Sequence, residues 1–266
     1  MRPSMSDLKG HWALVLGASS GFGEAVSLEL ARRGMSIVGV HLDRKATLPN
    51  VERIAGEIRK AGGQAEFFNV NAADEANRRE VLDAAAPKLG GKPFRTVLHS
   101  LAFGALKPYV AAKPEDGLTK QQMEMTLDVM ANSLVYWVQD LWARKLIGRG
   151  SRVFAMTSSG GARIWPNYGA VSAAKAALES HIRQLAVELA PHGVSCNSVR
   201  AGVTDTPSLR KIPGHEEMIR LAMERMPAKR LTTPEDVARA IAAVSVDGLE
   251  WMTGNVLGVD GGEFII

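Results

Sequence analysis

Five residues, Trp12 to Leu16, form a short apolar run that leads into Gly17-Ala-Ser-Ser-Gly21-Phe-Gly23. Behind the glycines comes a segment with apolar Ala25, Val26, Leu28, Leu30 and Ala31, read as a helix. A buried strand, a glycine turn and a helix in immediate succession constrain the fold more than any other stretch of the chain. The glycines let the backbone come close to a ligand, and the helix N-terminus turns partial positive charge toward an anion. Gly17, Ser19, Ser20, Gly21, Phe22 and Gly23 are therefore expected to cradle the pyrophosphate of a dinucleotide. A plain strand-to-helix turn is the bland alternative.

The alternation continues. Gly34 ends the first helix, and Ser36 to Val40 reads as a second strand. The end of that strand selects between NAD and NADP: an acid binds the ribose hydroxyls and repels a 2′-phosphate, whereas a base attracts it. His41 stands where the acid is usual, Asp43 follows two residues later, and Arg44 and Lys45 come next. The basic pair tips the expectation toward NADP(H) over NAD(H), with a solvated loop as the competing reading. Val51 to Ala61 reads as a helix stopped by Gly62-Gly63, and Ala65 to Phe68 as a third strand. Asn69 and Val70 follow, where an adenine ring could rest. Asp74 is expected to cap a helix running to Lys88. Thr96 to Ser100 is a fourth strand carrying His99, read as structural in preference to catalytic.

A helical stretch is expected from Thr119 to Leu146, ended by Gly148. Its Met and aromatic stripe suits a core or a subunit interface. Val153 to Met156 is a fifth strand, followed by Thr157-Ser158-Ser159-Gly160-Gly161 and then by a long helix from Tyr168 to Leu189. Seven residues separate Tyr168 from Lys175, close to two helical turns, so both side chains would share one face roughly 10 Å apart. A nearby ammonium favours ionisation of a phenol. The alternative is a buried Tyr and an unrelated surface Lys. Val194 to Val199 is a sixth strand, leading to Ala201-Gly202-Val-Thr204-Asp-Thr206, and Val256 to Val259 is the last.

Strands alternating with helices predict an α/β fold, a doubly wound, Rossmann-like parallel sheet with helices on both faces. A chain of 266 residues, 46% hydrophobic, fits one such domain spanning 1–266. Residues 207–233 break the alternation with mixed apolar and basic side chains, as in a substrate lid or an amphipathic surface helix. A net charge of +4 gives no argument for nucleic acid. Cys196 is the only cysteine, so no internal disulfide forms and no cysteine-based metal site is expected. The polar first ten residues and the lack of a long apolar run predict a cytoplasmic protein without a membrane span.

Together these residues resemble the short-chain dehydrogenase/reductase family over essentially the whole chain. Gly17-xxx-Gly21-x-Gly23, Asn197-Ser-Val199, Ala201-Gly202-xxx-Thr206 and Asp260-Gly-Gly262 carry the likeness. The common pattern places Tyr and Lys four apart, and here that position is Ser172. The interval of seven is similar to the divergent branch that contains enoyl-acyl-carrier-protein reductases, as are His99-Ser-Leu-Ala-Phe103 and Pro166-Asn167-Tyr168. The resemblance implies that Tyr168 serves a thioester oxygen while Lys175 holds the nicotinamide ribose. It implies further that Ser100 and Leu101 border the cofactor groove, that main chain near Thr204 holds the carboxamide, and that Thr206 lies near the pyrophosphate. It also implies a homotetramer built partly through 119–146 and 168–189.

Some positions depart from the pattern. Ser158 stands where the best-known enoyl reductases carry a second aromatic, and is similar to the hydroxyl with which ketoreductases hold a carbonyl. Met130 takes the place of the usual long-helix Asn, with Asn132 nearby. Arg200 precedes Ala201-Gly202, where it would pair with Asp205 or shape substrate choice. The first reading is an NAD(P)H-dependent reductase of a trans-2-enoyl thioester, on acyl carrier protein, in fatty acid synthesis. The others are a carbonyl or enone reductase and a nucleotide-binding regulator without turnover.

Overall fold

Strands apolar on both faces need cover on both sides, and only helices returning the chain between parallel strands supply it. The computed structural model describes residues 8–266 and shows that arrangement. In chain order the elements are β1 (Trp12–Leu16), α1 (Gly21–Arg32), β2 (Ser36–His41), α2 (Leu48–Lys60), β3 (Ala65–Asn69), α3 (Glu75–Ala85) and β4 (Thr96–His99). They continue with α4 (Lys120–Leu127), α5 (Ser133–Ala143), β5 (Arg152–Thr157), α6 (Gly169–Leu189), β6 (Ser195–Ala201), α7 (His215–Arg225), α8 (Pro234–Val244) and β7 (Val256–Val259). The seven strands form one parallel sheet in the order β3-β2-β1-β4-β5-β6-β7.

Side chains alternate across the sheet. Trp12, Leu14 and Leu16 enter the core shared with α3, α5 and α6, while Ala13 and Val15 enter the core shared with α1, α2 and α8. The crossing between β1 and β4, where the strand order reverses, opens a crevice at the carboxyl ends of the strands.

Several boundaries differ from the expectation for physical reasons. The stretch 119–146 is not one regular helix: a π turn at Asp128–Asn132 separates α4 from α5. Nor does Gly148 end it. Lys145 takes a left-handed conformation (φ 57), so the Leu146 N–H returns to the Leu141 carbonyl and Leu146 and Ile147 become buried. Asp74 caps α3 by accepting from the Asn77 N–H, but the α-helix stops at Ala85 and a 3-10 turn containing Pro87 carries the chain on to Leu89. Tyr168 lies just ahead of α6, as its N-cap residue. Residues 207–233 hold a 3-10 turn (Leu209–Lys211) and α7, with Leu209, Ala222 and Met226 buried. The polar opening at residues 1–7 lies outside the described residues. No helix among the described residues is long and apolar enough to cross a membrane.

Trp137 on α5 is fully buried and donates its indole N–H to the Ala72 carbonyl at 2.8 Å. Trp137→Ala removes that packing and leaves the carbonyl unpaired. A loss of about 3–5 kcal/mol is expected in urea unfolding.

Candidate active site

The site is assembled from loops that leave the carboxyl ends of six neighbouring strands. At the end of β1, Gly17 has φ +89, and a Cβ there would stand 2.5 Å from the Ser100 carbonyl oxygen beyond β4. A Cβ on Gly23 would overlap the Gly17 oxygen. Only glycine at both positions lets the loop, α1 and the end of β4 meet. Gly21 (φ +55) faces the Thr206 methyl group, 3.5 Å from where its own Cβ would be. This contact brings the loop after β6 onto the glycine loop. Ser20 precedes α1 but makes no side-chain cap, so the first-turn N–H groups stay available to an anion such as a pyrophosphate. The residues present therefore fit a dinucleotide.

His41 ends β2 buried, with Nδ1 3.0 Å from Asp43 Oδ2. Burial pushes the imidazole down in pKa, and the Asp43 carboxylate opposes the shift. Burial pushes the Asp43 carboxyl up, but hydrogen bonds from Ser19, Thr47 and His41 outweigh it, leaving it below its ordinary value. Asn69 pins the same turn: Oδ1 accepts from the Asp43 N–H at 2.8 Å and Nδ2 donates to the Asp43 carbonyl at 3.0 Å. The Val70 N–H donates to the His41 carbonyl. Arg44 and Lys45 stand exposed on this turn. Ser100 and Leu101 continue from β4 at the crevice, with the Ser100 N–H on the Leu16 carbonyl.

On the far side, Asn167 (φ 62) turns the chain into Tyr168. The Tyr168 ring lies against Gly160, where a Cβ would stand 2.5 Å from Cε1 and 3.2 Å from the Ser158 hydroxyl. Burial raises the phenol pKa, and the Ser158 hydroxyl opposes the rise. Ser158 Oγ is itself buried and makes no well-formed hydrogen bond. Lys175 is buried, and its ammonium donates to the Met156 carbonyl at 2.7 Å. Burial lowers the ammonium pKa to about 8, with Glu179 resisting. His99 is also fully buried, its Nε2 2.9 Å from Ser133 Oγ. Burial, and secondarily the Lys175 charge, lower its pKa to about 3, so it stays neutral and structural.

Met130 is buried, its sulfur close to Gly104, and Asn132 Oδ1 lies 3.2 Å from His181 Nε2 on another face of α6 from Lys175. Neither supplies the usual long-helix Asn contact. After β6, Thr204 is buried with its hydroxyl on the Gly202 carbonyl, and Thr206 Oγ1 accepts from the Leu209 N–H at 3.2 Å. The Val203 N–H donates to the buried Glu263 carboxylate at 2.7 Å. Arg200 does not pair with Asp205. It lies 3.8 Å from Asp260 and 3.5 Å above the Phe264 ring, while Asp205 binds Arg210 at 2.8 and 2.9 Å.

Sequence reasoning missed Glu179, Glu263 and Tyr109, whose ring packs where a Gly169 Cβ would be. Only Glu179 had a local signal, four residues beyond Lys175.

Known proteins resemble this chain along nearly its whole length. Residues 17–263 match the family model described as enoyl-(acyl carrier protein) reductase. The chain is 31% identical over 256 residues to 1-cyclohexenylcarbonyl-CoA reductase of Streptomyces collinus, covering 96% of this chain and 87% of that protein. It is 24% identical to a 3-oxoacyl-[acyl-carrier-protein] reductase of Thermotoga maritima, over 97% of this chain and 99% of the relative. A short-chain dehydrogenase from Burkholderia cenocepacia, solved with NADP, superposes with a TM-score of 0.81 at 25% identity, covering 97% of this chain and 99% of that one.

The depressed His99 pKa sets a pH dependence. The unfolded chain binds a proton below about pH 6.5 that folded His99 refuses until about 3. Stability from this group is full above 6.5 and falls as pH drops through that window. By pH 5 the loss relative to pH well above 6.5 is about 2 kcal/mol. His99→Asn should be less stable at neutral pH, yet its melting temperature should fall less steeply on acidification than the parent's.

Proposed function

The chain belongs to the short-chain dehydrogenase/reductase family, and from that premise we propose that it reduces the carbon–carbon double bond of a trans-2-enoyl thioester. The carrying observation is Tyr168 at the N-cap of α6, seven residues ahead of the buried Lys175. With Lys175 fixed, an interval of four would put the phenol at Val171, three residues and roughly 4.5 Å farther along the helix. In conjugate reduction hydride adds to the β-carbon, and the displaced π electrons collect on the thioester oxygen beyond the α-carbon. A phenol set back along the helix axis suits that more distant oxygen.

Bound reduced nicotinamide supplies the hydride. Tyr168 donates its O–H to the thioester oxygen as charge develops there, and the α-carbon then takes up a proton. The Lys175 ammonium spends one of its three donors on the Met156 carbonyl. The other two remain for the nicotinamide ribose hydroxyls, and its charge supports the phenol. Main chain at Thr204, anchored through Val203 and Glu263, would receive the carboxamide. Gly17, Ser19, Ser20, Gly21, Phe22, Gly23 and Thr206 would surround the pyrophosphate. The Asp43 carboxylate is already engaged by His41, whereas Arg44 and Lys45 stand exposed. On that ground NADP(H) is the preferred form.

Residues 207–233 would act as a lid over the acyl chain. The Trp165 indole N–H on the Pro213 carbonyl, at 3.2 Å, ties this segment to the loop that carries Tyr168. Exposed Tyr136, Trp142 and Val187 on α5 and α6 suit helix faces covered in a homotetramer. An acyl carrier protein as carrier, a role in fatty acid synthesis and a cytoplasmic setting complete the proposal. The buried, unpartnered Ser158 hydroxyl beside Tyr168 favours one second reading, ketone reduction, because it could hold a carbonyl oxygen.

Crotonyl and acetoacetyl thioesters, each offered with NADPH and NADH, separate the two. Consumption of reduced cofactor with the crotonyl compound, faster with NADPH, is expected. Turnover of the acetoacetyl compound alone would transfer the assignment to the ketone, and a preference for NADH would put Asp43 rather than Arg44 on the adenosine ribose. Tyr168→Phe should lower kcat by about 100-fold or more while cofactor affinity, read by fluorescence titration, changes little.

A further inference from the structure

We propose that Glu179 is a positioning residue for this reaction: its carboxylate supports the Lys175 ammonium from one turn along α6 and ties β5 to α6 through Thr157. The inference rests on the reductase reading above. Glu179 lies four residues beyond Lys175, so the two side chains share a face of α6. The Thr157 hydroxyl, at the end of β5, donates to Glu179 Oε1 at 2.7 Å. The same oxygen lies 3.3 Å from where a Cβ on Gly161 would be, so the carboxylate packs against the turn that carries Ser158 and supports the Tyr168 ring. One carboxylate thus touches the turn that bears Ser158 and packs on the Tyr168 ring, and it stands one helical turn from the ammonium.

The surroundings of Lys175 explain why an anion is needed. Its only hydrogen bond among the described residues goes to a neutral carbonyl, that of Met156. From β4 it faces His99, which burial keeps neutral. Met130, on the π turn packed against α6, is apolar where an Asn would have offered a dipole. Other charges on the packed elements are engaged elsewhere. Arg200 on β6, the register partner of Thr157, is with Asp260 and Phe264. Arg152 at the start of β5 is with Glu250, and Arg163 binds the Phe264 carbonyl. On α4, Glu124 pairs with Lys120, and on α5 Asp140 pairs with Arg78. Asp128 lies on the π turn and Tyr168 just ahead of α6, while farther along α6 His181 is with Asn132 and Glu188 with Gln184, and beyond it His192 stacks on Trp142. Glu179 is the acid that resists the downward push of burial on Lys175. An ammonium near its titration midpoint loses charge as pH rises, and with it the field that supports Tyr168.

Glu179→Gln keeps the shape and still accepts from Thr157, so it removes the charge alone. Two readouts test it. In the cofactor-free protein, competitive amine labelling across pH, read by peptide mass spectrometry, gives the Lys175 titration midpoint. The Gln variant should titrate at lower pH than the parent, Glu179→Asp should move back toward the parent, and Thr157→Val, which retains the charge, should stay with it. In turnover of the crotonyl thioester, kcat/KM near pH 8.5 relative to pH 6.5 should fall by about threefold or more in the Gln variant. An unmoved Lys175 midpoint in folded Glu179→Gln, or equal loss of activity at both pH values, overturns the proposal. Absence of turnover in the parent protein would instead overturn the reductase reading, while the labelling result still decides what Glu179 does to Lys175.

Discussion

The Lys175 ammonium is withdrawn from water and set on the Met156 carbonyl at 2.7 Å, and the local architecture follows from the demands of that contact. Burying a charge is costly unless hydrogen bonds and a counter-charge compensate it. The end of β5 supplies the carbonyl, and α6 supplies both the lysine and, one turn later, Glu179. The helix must therefore lie against β5 at a fixed height. That height also fixes Tyr168, which enters just before the helix and packs on Gly160.

The opposite wall depends on close backbone approach rather than on charge. Gly17 meets the Ser100 carbonyl, Gly23 meets the Gly17 oxygen, and Gly21 meets Thr206. These contacts gather the ends of β1, β4 and β6 around the start of α1. The wall offers unpaired N–H groups, and the wall built by α6 offers a cation and a phenol. A negatively charged, extended cofactor is suited to lie between them.

The loops after β6 and β7 lock onto each other across the same crevice. Glu263 accepts from the Val203 N–H, and the guanidinium groups of Arg200 and Arg163 both lie over the Phe264 ring. The residue that looked anomalous in the sequence, Arg200, thus serves the closing segment instead of Asp205. Its partner choice follows from strand register: Arg200 sits beside Gly258 on β7, two residues before Asp260, while Asp205 lies out on the loop with Arg210.

The order of strands and helices, the glycine loop, the Asp74 cap and the Tyr168–Lys175 interval were legible in the sequence, because each rests on spacing or conformation within a few residues. The π turn between α4 and α5, the left-handed stop at Lys145 and the pinning of the Asp43 turn by Asn69 were not. The Asn69 contact spans 26 residues, and the stop at Lys145 goes with the burial of Leu146 and Ile147 in the core. The same holds for Tyr109 over Gly169 and for Glu263 beneath Val203, pairs about 60 residues apart. Local periodicity determined which segments are strands and helices and which residues stand at their ends. Only the folded sheet decided which of those ends meet, because a contact between distant segments depends on register and burial that no short stretch of sequence encodes.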